Sequence, residues 1–350
     1  MVDIEKDNLP NIIDGNVPKN YELCKEGDIV FADASEDTNE VAKAVEYYNL
    51  NGKKVVCGLH TIHGRDNKNK TVVGYKGYAF SSMSFHHQIR RIAQGTKIYS
   101  INTKNFSECY VGIPSKEEQQ KIADLLRLID ERIATQNKII EDLKKLKSAI
   151  IEKVFNGKHS EKLQLNDVGS YIRGLTYSSN DVVEHGGTIV MRSNNIINGS
   201  LLDYNNNVVF VNKQMSAEQQ LQNGDVVICM ANGSSSLVGK SSFYDGSCHS
   251  PITVGAFCGI YRSKEPIVKW LFQTNKYRRY IWNSLQGGNG AIANLNGEDI
   301  LNMSFSIPNA TIKDTCVKML TSVDSALENN MSLCALYTLQ KQHLLRQMFI

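Results

Sequence analysis

Proline is scarce in this 350-residue chain: there are six, no two adjacent and none followed by aspartate. Without Pro-Pro there is no Asn/Asp-Pro-Pro-aromatic loop of the kind that holds a flipped adenine for N6-methylation, and without Pro-Asp there is no opening for a Pro-Asp…Glu-x-Lys nuclease motif. Chemistry on a base or a phosphodiester therefore has no visible home. The eight cysteines form no CxxC pair and several sit among apolar residues, which reads as reduced, buried thiols rather than a disulfide framework. No apolar run approaches the roughly 20 residues that span a bilayer. The opening MVDIEKDNLPN lacks the basic and apolar regions of a signal peptide, so a cytoplasmic address with no membrane partner is expected. A formal net charge of +3 is too small to name a partner. What remains is ordinary globular usage, 41% apolar and 21% charged, in a chain long enough for two or three domains.

The chain repeats itself. Pro114 to Phe155 aligns without a gap on Pro308 to Phe349, at a constant offset of 194 residues. Positions 122, 126, 129, 133, 136, 140, 143, 147, 150 and 154 alternate steps of four and three and carry I, L, I, I, Q, I, L, K, I, V; their equivalents from 316 to 348 carry C, L, V, L, N, C, Y, K, L, M. This is a heptad seam with polar interruptions at the same two steps. Each copy predicts a helix of about 40 residues, roughly 60 Å long, that cannot bury its seam alone. Ile129, Ile133, Gln136 and Ile140 are expected to pair with Val323, Leu327, Asn330 and Cys334. An antiparallel arrangement about a pseudo-two-fold axis places Gln136 against Asn330 and leaves the globular modules at opposite ends. The repeat continues upstream, where Gly27–Ala32 matches Gly224–Cys229 and Asn102 matches Asn296. The expected segments are 1–113, a globular module incomplete at its N-terminus; 114–157, a first spacer helix; 158–307, a second module; and 308–350, a second spacer helix. The modules mix β-rich runs such as Lys53 to Cys57 and Val208 to Val211 with helical patches such as Lys269 to Leu285, an α+β pattern.

Two tempting motifs carry less than they promise. Gly233-Ser-Ser-Ser-Leu-Val-Gly239-Lys240-Ser241 has five residues between its glycines where a phosphate-binding P-loop needs four, and the residues after it read as a strand rather than a helix. Ser234 and Lys240 suit a loop that approaches DNA phosphates instead. Cys57-x-x-His60-x-x-His63 has ligand-like spacing but lacks a fourth partner in sequence, so no metal or cofactor is expected, and His63 is placed at a DNA-facing loop. Arg, Asn and Gln match guanine and adenine edges in the major groove, and three clusters supply them. They are Arg192, Asn194 and Asn195; Gln286, Asn289 and Asn294; and, in the first module, Gln88, Arg90, Arg91 and Gln94. The alternative for each is a solvated loop. Tyr277-Arg278-Arg279-Tyr280 fits a phosphate-facing or plain helix surface.

Several phrases resemble one family. IPSKEEQQKIADLLRLID at 113 to 130, Lys162-Leu-Gln-Leu-Asn-Asp-Val-Gly169 followed by Arg173-Gly-Leu-Thr-Tyr177, Gly95-Thr-Lys-Ile-Tyr-Ser-Ile101 and Val56-Cys-Gly-Leu-His-Thr61 are similar to segments of the specificity subunits of type I restriction-modification systems. The resemblance implies a non-catalytic protein with two target-recognition domains, each reading half of an interrupted double-stranded DNA site. It also implies an antiparallel coiled coil that sets the gap and docks two methyltransferase subunits, which carry nuclease subunits. One departure stands out: about 60 residues separate Lys162 from the Gly224-Asp225 turn, against 26 before Gly27. A stand-alone DNA-modifying enzyme, or a truncated specificity fragment with impaired reading, is the competing expectation.

Overall fold

The computed structural model describes residues 1–7, 9–13, 21–157, 161–285 and 293–349. The chain divides into two compact units, Met1–Ile139 with Asn330–Ile350, and Ile140–Asn329. Each unit takes one half of each of two long helices, Lys116–Phe155 and Ala310–Met348.

In the first unit, a four-stranded sheet has the order Val2–Asp3, Ala44–Asn49, Ile29–Ala32, Thr61–Gly64. The central strand alternates as a strand must: Ile29 and Phe31 pack with Phe85, Ile89 and Ile101, while Val30 points the other way to Cys24, Tyr47 and Leu50. Phe31 meets Phe80 and Phe106 edge-on, with ring centres 5.0 and 4.7 Å apart. That packing favours the T-shaped geometry of aromatic pairs.

In the second unit, the corresponding sheet runs Ser241–Phe243, Val226–Cys229, Cys258–Ser263, Gly169–Arg173. Val226 and Ile228 face a core built around Trp270, Phe272 and Ile281; Val227 and Cys229 face a second four-stranded sheet through Ile189, Met191, Ile252 and Val254. That second sheet runs Ile252–Val254, Thr188–Met191, Val209–Val211, Val182–Val183.

The two units share their frame. Gly27 and Gly224 both take positive φ, 81° and 91°, to turn the chain into the central strand. The aspartates that follow are buried, and each is gripped by an arginine, Asp28 by Arg65 just past strand Thr61–Gly64 and Asp225 by Arg262 within strand Cys258–Ser263. Asn102 and Asn296 each cap a short helix through the side-chain oxygen. Among the described residues, the first unit has no counterpart of strands Gly169–Arg173, Val182–Val183, Thr188–Met191 and Val209–Val211, where the sequence is short; Val2–Asp3, parallel to Ala44–Asn49, corresponds to the bridge from Leu201 to Phe243. Lys53–Cys57, expected as a β-rich run, is irregular chain with one bridge, Leu23 to Val56. In the second unit Ile252–Val254 pairs with Thr188–Met191, a strand with no counterpart among the described residues of the first unit.

The helices pair antiparallel. Within the first unit Gln136 Nε2 donates to Asn330 Oδ1, Cys334 Sγ lies 3.3 Å from Asn137 Oδ1, and Lys341 reaches back to Asp130. Ile129, Gln136, Ile140 and Leu327 are buried; Ile133, Val323, Asn330 and Cys334 are half-buried. Within the second unit Lys147 Nζ lies 2.6 Å from Asp324 Oδ1. The entry to the first helix is fixed by buried Gln119, whose amide donates to the carbonyls of Pro114 and Lys70 and accepts from Val72 N–H. Replacing both Gln136 and Asn330 by leucine is expected to change stability by less than about 1 kcal/mol while loosening register, because a buried polar pair contributes specificity more than stability. Spin labels placed on the two helices check this by the width of their distance distribution. A distribution as narrow as the parent's would mean that the amides do not set the register.

Candidate nucleic-acid interface

In the second unit three segments meet at one edge. Strand Ala231–Asn232 pairs with Ala293–Asn294, placing Ala231 opposite Asn294. Asn232 Nδ2 lies 3.4 Å from Ser193 Oγ, which ties in the turn that carries Arg192 and Asn194. Asn195 builds that turn. It is buried, its Oδ1 accepts from Arg192 N–H at 2.9 Å, and its Nδ2 donates to the carbonyls of Asp203 and Asn206 at 3.0 and 2.7 Å. Both of its amide N–H groups and its amide oxygen are engaged inward, so Asn195 holds the turn in place rather than facing outward. Arg192 and Asn194 are left exposed, the guanidinium making a long contact, 3.4 Å, with Asn207 O. Asn294 is exposed as well.

The polar loop beyond Asn232 is a short 3-10 turn, Ser235–Leu237, followed by a strand. No helix follows Lys240, so the loop lacks the dipole of a P-loop. Exposed Ser234 shares a hydrogen bond with Ser236 at 2.8 Å, and Lys240 is half-buried. The loop forms one wall of a hollow of about 550 Å³ whose other wall is helix Asn275–Leu285, with Arg278 and the exposed Trp282. Tyr277 and Tyr280 instead turn inward, their hydroxyls donating to Gly239 O and Ser304 O. Gln286 and Asn289 lie outside the described residues.

The first unit presents the equivalent edge. Strand Ala34–Ser35 pairs with Tyr99–Ser100, and Gln94 bridges to Ser100 through its backbone. Helix Met83–Ile92 buries Phe85 and Ile89 and turns His87, Arg90 and Arg91 outward, with Gln94 exposed just beyond. Gln88 does not join them: its amide donates to Tyr110 O at 2.8 Å and accepts from Tyr110 N–H at 3.0 Å, a two-way backbone clamp. His63 also faces elsewhere, with Nε2 2.9 Å from Asp28 Oδ2. Burial alone would raise the Asp28 carboxyl, but Arg65, the Lys25 N–H and His63 outweigh it and hold the group at about 2. The turn that carries Arg192 and Asn194 has no counterpart in the first unit among the described residues.

The outward groups at these edges are guanidinium, amide and hydroxyl donors on turns held rigid by inward hydrogen bonds. Such groups suit base edges and phosphate oxygens rather than bond-breaking chemistry. No helix of the described residues is long and apolar enough to cross a membrane.

The comparisons with known proteins agree in kind. A family model described as the type I restriction modification DNA specificity domain matches residues 6–145 and 158–333. The type I restriction enzyme EcoKI specificity subunit of Escherichia coli (strain K12) is 33% identical over a stretch covering 42% of this chain and 31% of that protein. The StySPI specificity subunit of Salmonella potsdam is 32% identical, with the same two shares, 42% and 31%. The matched stretch is thus less than a third of each curated relative. A crystal structure of a type I restriction-modification system S subunit from M. genitalium superposes with a TM-score of 0.59 at 16% identity, covering 93% of this chain and 83% of that one, which shows a shared fold. With the family model spanning both repeats of module and helix, the chain belongs to the type I restriction modification DNA specificity domain family.

Proposed function

We propose that this chain is the DNA-reading subunit of a type I restriction-modification complex: it binds a bipartite double-stranded site and docks two methyltransferase subunits, which in turn carry nuclease subunits. The observation that carries this reading is the recurrence of one polar edge in both units, on repeat-equivalent strand pairs. Arg192, Asn194 and Asn294 are the candidate base readers of the second unit; Ser234, Lys240 and Arg278 are its candidate phosphate contacts. Arg90, Arg91 and Gln94 fill the corresponding place in the first. Docking of partners is supported by the helix pair of the first unit, where Leu125, Leu128, Leu336 and Leu339 are exposed. Apolar residues exposed together mark partner surfaces. The chain itself is proposed to be non-catalytic and to act in the cytoplasm.

A second reading is favoured by one observation, that the first unit has no second four-stranded sheet among the described residues. With no Arg192-type turn, and with Gln88 and His63 engaged inward, that unit holds DNA without reading half a site. Methylome sequencing of cells with and without the gene, alongside its methyltransferase partner, separates the two. A motif with two different half-sites supports bipartite reading, and a single or mirrored half-site supports the second reading. Sustained turnover of S-adenosylmethionine by the isolated chain would overturn both.

Arg192→Ala and Asn194→Ala are expected to weaken binding to the cognate site by roughly 5- to 150-fold, the value of one bidentate base contact, and to leave binding to random DNA nearly unchanged. Competition titrations at fixed salt check this. Equal loss on both DNAs would move these residues to a phosphate role.

A further inference from the structure

The first unit brings Cys24 to Cys57 and His63, so that a ligand atom of each lies within 4.8 Å of the others. The two sulfurs are 3.3 Å apart. His60, the middle member of the Cys-x-x-His-x-x-His phrase, is exposed on its own near Asp33 and takes no part. Residues three apart on an extended chain diverge, so the spacing within the phrase is not what matters; Cys24 arrives from another segment.

The repeat shows what occupies these places in the complete unit. Cys24 N–H donates to Val55 O at 2.9 Å, and its equivalent, Leu221 N–H, donates to Ile252 O at 2.9 Å. Val30 pairs with His63 as Val227 pairs with Ile260. The same alignment carries Cys57 onto Val254. Leu221, Val254 and Ile260 are all buried in the core that joins the second unit's two sheets. Among the described residues, the first unit has no second four-stranded sheet against which such a core could close. At the three equivalent positions it has two thiols and an imidazole instead of three aliphatic side chains. A small module short of apolar core is the setting in which a structural metal contributes most to folding.

We propose that Cys24, Cys57 and His63 form a structural Zn²⁺ site that closes the first unit where the second unit uses an aliphatic cluster. The outer shell is already in place. His63 Nε2 is held by the Asp28 carboxylate, itself gripped by Arg65, which leaves Nδ1 as the ligating nitrogen and fixes the ring as carboxylates do for metal-bound histidines. Binding releases two protons from the thiols, and two thiolates with a neutral imidazole balance the ion's charge, which suits a half-buried place. Zn–S bonds of about 2.3 Å set two sulfurs about 3.8 Å apart in a tetrahedron, so the thiols part by roughly half an ångström on binding. The exposed Glu22 carboxylate lies 3.8 Å from His63 Nδ1.

The test uses the full chain, purified reduced and loaded with Zn²⁺ or Co²⁺. Native mass spectrometry is expected to find one metal per chain, Co²⁺ to give a thiolate-to-metal charge-transfer band, and a chelator to lower the first unit's melting temperature by roughly 5 °C or more. His63→Ala and the pair Cys24→Ser with Cys57→Ser are expected to lose the ion. Because these variants can also lose the fold, a triple variant that copies the second unit, Cys24→Leu with Cys57→Val and His63→Ile, is the control. It is expected to fold without metal and to be indifferent to chelator. A reduced parent chain that binds no metal stoichiometrically, a Cys24–Cys57 disulfide in its place, or a triple variant that keeps the ion would each overturn the site.

Discussion

Asp324→Ala is expected to destabilise the protein by about 3 to 5 kcal/mol, whereas Asp130→Ala, the same substitution at the repeat-equivalent position, costs about 1 to 2 kcal/mol, largely because the buried Tyr78 hydroxyl loses its acceptor. Both carboxylates answer the lysine that interrupts the opposite seam, Lys147 for Asp324 and Lys341 for Asp130. They differ in burial: the Lys147–Asp324 side chains are 7% and 6% exposed, the Lys341–Asp130 side chains 27% and 37%. Burial pushes the Lys147 ammonium below its ordinary pKa and Asp324 works against that shift, so removing the carboxylate leaves a charge in a place that disfavours it. Lys269, 3.4 Å from Asp324, loses its counter-ion too, and the Trp270 indole N–H loses its acceptor at 3.0 Å. The chain's two tryptophans, Trp270 and Trp282, both lie in the second unit, so tryptophan fluorescence during urea unfolding reports that unit. Lys147→Met combined with Asp324→Leu is expected to recover most of the loss, since a buried ion pair replaced whole is often neutral. Equal effects of Asp324→Ala and Asp130→Ala would mean that burial does not set the value of these pairs.

The same residues show how far the sequence could be read. The heptad seam was legible because its period is local, and so was the match of Gln136 to Asn330, since one offset relates both helices. The polar steps at Lys147 and Lys341 were visible as interruptions, but their partners were not. Asp130 and Asp324 lie off the seam in sequence and reach it only when the helices run antiparallel. The Gly-Asp turns were visible as repeated letters; that each aspartate is buried under an arginine 37 residues later is a matter of strand pairing. The candidate site was legible by residue type and only partly by role. Asn195 and Gln88 have the chemistry of base readers, yet one builds its turn and the other clamps Tyr110, because an amide satisfies backbone groups as readily as base edges. The hollow beside Lys240 could not be foreseen, since Trp282 and Arg278 come to it from a separate helix. Cys24 escaped notice for the same reason, being 33 residues from Cys57.

Arg262→Ala is expected to cost about 3 kcal/mol, more than Arg65→Ala at the equivalent place. Arg262 grips Asp225 with a two-pronged contact, Nε to Oδ1 at 2.8 Å and a terminal nitrogen to Oδ2 at 2.7 Å, and also donates to Gln220 O at 2.7 Å. Asp225 is buried, and among the described residues only the Gln222 N–H, at 2.7 Å, still donates to it without Arg262. Asp28 keeps more when Arg65 is removed, because His63 Nε2 at 2.9 Å and the Lys25 N–H at 2.7 Å both remain. An unpaired buried carboxylate is the costly product in each case, and it is less unpaired in the first unit. Arg262→Lys is expected to recover less than half of the loss, since a single ammonium cannot reproduce two parallel bonds and the carbonyl contact together. The consequence reaches the candidate interface: the Asp225 turn feeds Val226–Cys229, which leads directly into Ala231–Asn232 and the Ser234 loop. Binding to cognate DNA is therefore expected to fall with the stability of Arg262→Ala and to return when the protein is assayed at a temperature where the second unit is fully folded. If Arg262→Lys restores stability completely, charge alone holds the turn and the fork geometry is irrelevant to it.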